Sequence, residues 1–240
     1  MDEKIKNLIL EKRRYGIKEK VNFFEKKQLK KDKPIQKIIG YIEMANVRID
    51  LSKKVLIPRY ETEELIYHAI EFIKKNNYKS VLDLCCGSGF IGIALKKEFD
   101  NVDIWQSDID KNAIKQTKKN LKINNVKNKI IKSNMFEKIK NKKFDLLISN
   151  PPYLTKNEIL SKSVLNFEPH HALFADNNGM FFYEIIEEKL SEILNKDGLV
   201  ILEINPINVD WFKKRNYFII KDINNKERFA FKKINQLQNN

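Results

Sequence analysis

Asn150-Pro151-Pro152-Tyr153 directly follows Phe144 to Ser149, an apolar run short enough to be a buried strand. Two consecutive prolines supply no donor to a sheet ladder and start no helix, so the strand stops there. The residue before a proline is also held away from the helical region. The four residues thus form a stiff loop at the carboxyl end of a strand, the edge at which open α/β sheets bind ligands. The Asn150 amide, the Pro151 carbonyl and the Tyr153 ring suit one task well, with Pro152 keeping the loop rigid. They can grip a planar NH2 group, oxygens accepting its two hydrogens while the aromatic ring packs against its face. An isolated Asn-Pro-Pro would serve equally as a plain turn. Tyr153 and a glycine loop upstream favour chemistry.

That loop is Asp83-Leu84-Cys85-Cys86-Gly87-Ser88-Gly89, with a strand before it and a helix after it. Gly87 and Gly89 permit a sharp turn and a close backbone approach to a ligand. Asp108-Ile109-Asp110 ends the next strand about twenty residues on, where a carboxylate accepts hydrogen bonds from ribose hydroxyls. Gly87, Gly89 and Gly92 have the spacing of a dinucleotide motif. Asp83 argues against it, since a carboxylate there repels pyrophosphate and suits the ammonium of S-adenosylmethionine. Cys85 and Cys86 read as small packing residues rather than nucleophiles. Asp110 reads as the N-cap of the following helix. The two cysteines lie side by side, away from His68, His170 and His171, so no metal site is expected.

Positioning these loops requires alternating strands and helices. Strands are expected at 81–84, 102–108, 129–131, 144–149 and 199–204, with helices at 91–99, 111–123 and 181–194. Asn195 to Gly198 should turn between the last helix and the fifth strand. Residues 217–223 and 228–234 read as an antiparallel pair completing a doubly wound, seven-stranded mixed sheet of Rossmann-like α/β class. Upstream, residues 1–34 read as two short amphipathic helices on either side of Tyr15-Gly16 and then a linker. Residues 35–57 read as a β-hairpin linker with strands at 38–44 and 47–51 and a turn at Ala45-Asn46. The remaining 58–240 would be the catalytic domain. It opens with a helix N-capped by Thr62. The tail, 236–240, should fray.

Composition narrows the setting. The 240 residues carry a net charge of +14, which favours an anionic partner such as RNA, a ribosome or a protein bound to one. An AT-rich genome would supply the same scattered lysines, so both origins stay open. No apolar run is long enough to span a bilayer, no signal-peptide core follows Met1, and two adjacent cysteines form no disulfide framework. A cytoplasmic enzyme is expected, with a monomer as the default state.

Asp83 to Gly89, Asp108 and Asn150 to Tyr153 together resemble class I S-adenosylmethionine-dependent methyltransferases acting on amino nitrogen. More narrowly, the chain resembles the HemK/PrmC family, the glutamine N5-methyltransferases of peptide chain release factors. Leu56 to Glu63 is similar to that family's IPRPETE segment. Phe167-Glu168-Pro169, followed by Ala172-Leu173-Phe174 and Gly179, matches a second segment. Gln36 to Gly40, and Asp222 with Arg228, match more loosely. The chain departs from the pattern in a short N-terminal region, in Tyr60 where the family has proline, and in Cys85 where many members have glycine.

The resemblance implies methyl transfer to the glutamine of the release factor Gly-Gly-Gln motif. Asn150, Pro151 and Tyr153 would be catalytic, and Asn150 to Tyr153 would bind substrate. Asp83, Cys85, Cys86, Gly87, Ser88, Gly89, Asp108, Asn134, Met135 and Asn150 would bind S-adenosylmethionine, Met135 standing where some members place an aromatic beside the adenine. Two other readings remain. One is a methyltransferase for exocyclic amines of adenine or guanine in RNA or DNA. The other is a basic RNA- or ribosome-binding module without catalysis.

Overall fold

A computed structural model describes residues 1–234. Three helices open the chain: α1 (Asp2–Arg14), α2 (Phe23–Lys30) and α3 (Ile35–Ile39). A hairpin, β1 (Tyr41–Met44) and β2 (Val47–Asp50), leads to α4 (Tyr60–Asn76). Then come β3 (Ser80–Leu84), α5 (Phe90–Glu98), β4 (Asp103–Asp108), α6 (Lys111–Ile123), β5 (Lys129–Lys132) and β6 (Phe144–Ser149). The chain ends with α7 (Lys162–Phe167), α8 (Phe181–Ile193), β7 (Leu194–Glu203), α9 (Val209–Lys213), β8 (Phe218–Lys221) and β9 (Glu227–Lys233).

Among the described residues the main sheet has seven strands in the order β5-β4-β3-β6-β7-β9-β8. The first five are parallel; β9 runs antiparallel to both of its neighbours. Chain order reverses between β3 and β6, the switch point of a doubly wound sheet. Leu84 pairs with Ser149 there, so the loops starting at Cys85 and Asn150 leave the sheet side by side.

Alternation along the strands feeds two cores. Val81, Leu146, Ile148 and Ile201 face one way and pack with Leu65, Ile66 and Ala69 of α4 and with Ile93 of α5. Leu82, Leu84, Leu147 and Val200 face the other way and pack with Tyr183, Ile186 and Leu190 of α8. Helices on both faces explain why the central parallel strands β3 and β6, and β7 from Leu199, read as nearly continuous apolar runs.

The hairpin is fastened to α6 by a row of amides. Gln116, Asn120 and Asn124, spaced four residues apart, share one helix face. Their side-chain oxygens accept the backbone N–H groups of Lys53, Asp50 and Arg48 at 2.8, 2.9 and 2.9 Å. The free edge of β2 is satisfied, and Val55 to Arg59 is directed over the carboxyl ends of β3 and β6. The N-terminal helices lean on the same unit. Lys12 is buried with Glu25 at 2.7 Å, and Arg14 donates to the Tyr60 hydroxyl at 2.8 Å.

Several local expectations change. Residues 35–39 form a helix rather than the start of the first hairpin strand, and Pro34 sets its entry. The second N-terminal helix begins at Phe23, where Asn22 and Glu25 make a reciprocal capping box, and Phe24 points to solvent. Thr62 is not an N-cap: α4 starts three residues earlier from Arg59, and Thr62 is buried. Pairing of β7 begins at Leu194, and the expected turn at Asn195 to Gly198 is a register jump inside the strand. Ala45 and Asn46 both have positive φ, the two-residue turn that twisted hairpins favour. The tail at 236–240 lies outside the described residues. No helix among the described residues is long and apolar enough to cross a membrane.

Candidate active site

A cavity of about 510 Å³ opens at the switch point. Its walls include Leu84 at the end of β3 with Cys85 and Gly87 beyond it, Asp108 at the end of β4, Asn134 and Met135 after β5, and Asn150 and Pro152 after β6. Val55 and Leu56 cover it from the hairpin segment, and Phe181 and Phe182 from α8. A smaller chamber of about 190 Å³ adjoins it, lined by Pro151, Tyr153, Arg59 and Glu203. Leu56, Asn150 and Ala172 line both spaces, so Asn150 stands at the partition.

Asp108 organises the glycine loop. Its two oxygens accept from the backbone N–H groups of Gly87 and Asp110, both at 2.8 Å. Each oxygen keeps a further lone pair, and Asp108 itself lines the cavity. Burial pushes its carboxyl above the ordinary range, and the two backbone donors pull it back. Asp110 caps α6 through the Asn112 N–H, as the sequence suggests.

Asp83 is fully buried at the end of β3. Its Oδ2 accepts from the Gly92 N–H at 3.0 Å and from Gln106 Nε2 at 2.8 Å. Its Oδ1 is buried without a partner. Burial raises this carboxyl to about 7, against the two hydrogen bonds that lower it. An unpaired buried carboxylate oxygen is costly, and a cation or an N–H donor is the group that satisfies it. Gly92 is required here. A Cβ at that position would lie 2.5 Å from the Gln106 amide that holds Asp83.

Not every loop residue faces the cavity. The Cys86 thiol lies 3.6 Å from the Thr117 hydroxyl, the Ser88 carbonyl accepts from Asn120, and a Cβ on Gly89 would meet Thr117 at 2.8 Å. These three shape the turn from behind. Cys85 does line the cavity, with its thiol pushed far up by burial, which removes it as a nucleophile. Cys85 and Met135 both have positive φ, so two non-glycine residues hold strained backbone at the cavity wall.

The Asn150 amide is oriented by partners far away in sequence. Its Nδ2 donates to the Thr62 hydroxyl at 3.0 Å, and Thr62 donates to Glu203 Oε2 at 2.8 Å. Tyr153 donates to Glu203 Oε1 at 3.1 Å. Among the described residues the Asn150 carbonyl oxygen takes no hydrogen bond. Glu168, buried, accepts from the Ile57 N–H at 3.0 Å and pairs with Arg59 at 2.6 Å. It thereby ties the Ile57-Pro58-Arg59 segment to the loop that carries Pro169 and His171, two more cavity residues. Sequence reading does not assign Thr62, Glu203 or His171 to the site: it takes Thr62 as a helix N-cap and His171 as a loop residue. Only Glu203, a carboxylate closing the apolar run Leu199 to Leu202, carried a visible signal.

Gly179 has φ of +83°, and a Cβ there would sit 2.3 Å from the Tyr153 carbonyl oxygen. Gly179→Ala is therefore expected to destabilise the fold by about 2–4 kcal/mol, combining left-handed strain with backbone overlap. Denaturant unfolding checks this, with an unchanged midpoint as the contrary result.

Residues 65–182 match the family described as Methyltransferase small domain. Over 232 residues the chain is 38% identical to a release factor glutamine methyltransferase of Clostridium botulinum (strain Hall), covering 89% of this chain and 81% of that one. A release factor glutamine methyltransferase of Flavobacterium psychrophilum is 37% identical over 206 residues, 79% of this chain and 70% of its own length. Among solved structures, the 16S rRNA N2 G1207 methyltransferase of T. Thermophilus, in complex with AdoMet and guanosine, has a similar fold. It gives a TM-score of 0.59 at 15% identity, over 80% of this chain and 49% of that one. The ribosomal protein L11 methylase of Lactobacillus delbrueckii gives 0.53 at 18% identity, over 77% and 83%. At these identities the structural likeness speaks for the fold alone.

Proposed function

This chain belongs to the release factor glutamine methyltransferase family, and from that premise we propose that it methylates the side-chain amide nitrogen of the Gly-Gly-Gln glutamine in peptide chain release factors, with S-adenosylmethionine as donor. One observation carries the reading. Asn150 separates a large cavity, walled by the glycine loop and Asp108, from a narrow chamber walled by Pro151, Tyr153 and Glu203.

The residues of the larger cavity fit the donor. Asp108 suits the ribose hydroxyls and Met135 with Phe181 the adenine plane, while the orphaned oxygen of Asp83, buried directly behind the wall residue Leu84 and not itself lining the cavity, suits the ammonium group. When bound, S-adenosylmethionine supplies an electrophilic methyl on a sulfonium. The protein's part is position and hydrogen bonding, because an amide nitrogen with a delocalised lone pair is a poor nucleophile. The Asn150 oxygen and the Pro151 carbonyl accept the two amide hydrogens, and these bonds strengthen as positive charge builds on nitrogen. Tyr153 bounds the amide plane. A strong base is unnecessary, since an N-alkylated amide cation readily loses a proton to water.

The experiment is incubation with tritiated S-adenosylmethionine, a release factor and total RNA. Label is expected in the release factor and absent from one lacking the Gly-Gly-Gln glutamine. Label confined to ribonuclease-sensitive material would instead support exocyclic amine methylation, which the same loop and the +14 charge could serve.

Donor binding should depend on pH through Asp83. The carboxyl titrates at about 7, so below that it is neutral and pairs poorly with an ammonium. Affinity is expected to fall from about pH 8 to about pH 6, approaching tenfold per unit on the acid side. Titration calorimetry reads this, and a flat profile would contradict the assignment. The same shift has a stability consequence of opposite direction. The unfolded carboxyl gives up its proton near 4 while the folded one holds it to about 7, so the ligand-free protein loses stability as pH rises across that window.

A further inference from the structure

The partition between the two chambers depends on a residue that touches neither donor nor acceptor nitrogen in the scheme above. We propose that Glu203 is a positioning residue: acting through Thr62, it decides which end of the Asn150 amide faces the acceptor group. The inference rests on reading Asn150 as the holder of that group.

An asparagine amide is nearly symmetric in shape, and only hydrogen-bond partners distinguish its oxygen from its nitrogen. The partner of Asn150 is Thr62, whose hydroxyl can donate or accept. Glu203 removes the choice. An ionised carboxylate has only acceptors, and its two oxygens take the Thr62 and Tyr153 hydroxyl protons at 2.8 and 3.1 Å. Thr62 then has only lone pairs left for Asn150, so the NH2 end must turn toward Thr62 and the oxygen toward the chambers. One buried carboxylate thus sets both halves of the grip, the amide and the ring. The elements are far apart in sequence: Thr62 is in the first turn of α4, Glu203 ends β7, and Asn150 and Tyr153 follow β6. Thr62 and Glu203 are 5% and 2% exposed, so water does not readily replace either bond.

A protonated Glu203 could donate to Thr62, which could then donate to Asn150 and reverse the amide. The groups facing Glu203 set where this happens. Burial raises its carboxyl to about 7. Thr62 and Tyr153 lower it by hydrogen bonding, Arg228 of β9 lowers it by charge, and Glu61 of α4 raises it. Tyr183 of α8 donates to the Glu203 backbone carbonyl, not to the carboxylate.

The test uses full-length Thr62→Ser, Thr62→Val and Glu203→Gln variants, with a release factor as acceptor and saturating S-adenosylmethionine. Thr62→Val and Glu203→Gln are expected to lower kcat by about 10- to 100-fold, with calorimetric donor affinity within about twofold. Thr62→Ser, which keeps the hydroxyl, should stay within about threefold of the parent, and the double variant should lose little beyond the worse single one. The acid limb of the parent kcat profile, centred near pH 7, should vanish in Glu203→Gln. A folded Thr62→Val with full turnover, or an acid limb unchanged in Glu203→Gln, overturns the inference. Should Glu203→Gln fail to fold, the Thr62 pair decides alone. If the parent protein itself moves no methyl to a release factor, the functional reading falls and takes this inference with it. An active parent beside a fully active Thr62→Val removes the inference alone.

Discussion

Asn150→Ala is expected to lower turnover by about 10²- to 10³-fold, the usual effect of removing one hydrogen bond that strengthens in a transition state. The side chain offers its oxygen where two chambers meet, and alanine leaves the amide hydrogens of the acceptor to the Pro151 carbonyl alone. Donor affinity should change by no more than about threefold, because the hydrogen bonds proposed to hold the donor come from Asp83 and Asp108 on other loops. Asn150→Asp should fare no better. It keeps an acceptor oxygen but loses the N–H that Thr62 receives at 3.0 Å, and Thr62 already gives its only proton to Glu203. Two acceptors would then face each other. Single-turnover methyl transfer and calorimetry together check both variants. A turnover near the parent value in Asn150→Ala would remove this residue from the chemistry.

The second large effect is expected at Asp108. Asp108→Ala should weaken donor binding by about 10²- to 10³-fold, from the loss of charge-assisted hydrogen bonds worth about 1.5–3 kcal/mol each. Part of that loss is indirect. Asp108 also holds the Gly87 and Asp110 N–H groups at 2.8 Å, so alanine releases the glycine loop as well as the ribose. Asp108→Asn separates the two contributions. Its amide NH2 would face one of the backbone N–H donors, so the isosteric change is expected to cost at least about tenfold in affinity. Parent-like affinity in Asp108→Ala would mean the sugar binds elsewhere.

Much of this was legible in the chain. Strands β3, β6 and β7 announce themselves because parallel strands covered on both faces carry mostly apolar runs, such as Leu146 to Ile148 and Leu199 to Leu202. The Asn150 loop is legible because two prolines leave the backbone few alternatives. What sequence reading missed depends on partners distant in the chain. Thr62 looks like a helix cap until Glu203, 141 residues away, takes its proton. The amides at Gln116, Asn120 and Asn124 look like a polar helix face until β2 lays its edge against them. Arg59 and Glu168 are adjacent only because the hairpin segment crosses the site. Short helices such as α3 and α7 also escaped notice, since one or two turns carry too little periodicity to read. The loop from Asp83 was located correctly, but its residues divide between cavity wall and turn scaffold. Spacing alone does not reveal that division.

The most direct measurement is a crystal structure of the protein with S-adenosylhomocysteine and a release factor domain bearing its Gly-Gly-Gln loop. The expected result places the glutamine side-chain nitrogen about 3 Å from both the Asn150 oxygen and the Pro151 carbonyl, aimed at the sulfur across the partition. A glutamine bound outside the chamber of Pro151 and Tyr153, or an Asn150 oxygen turned toward Thr62, would contradict it.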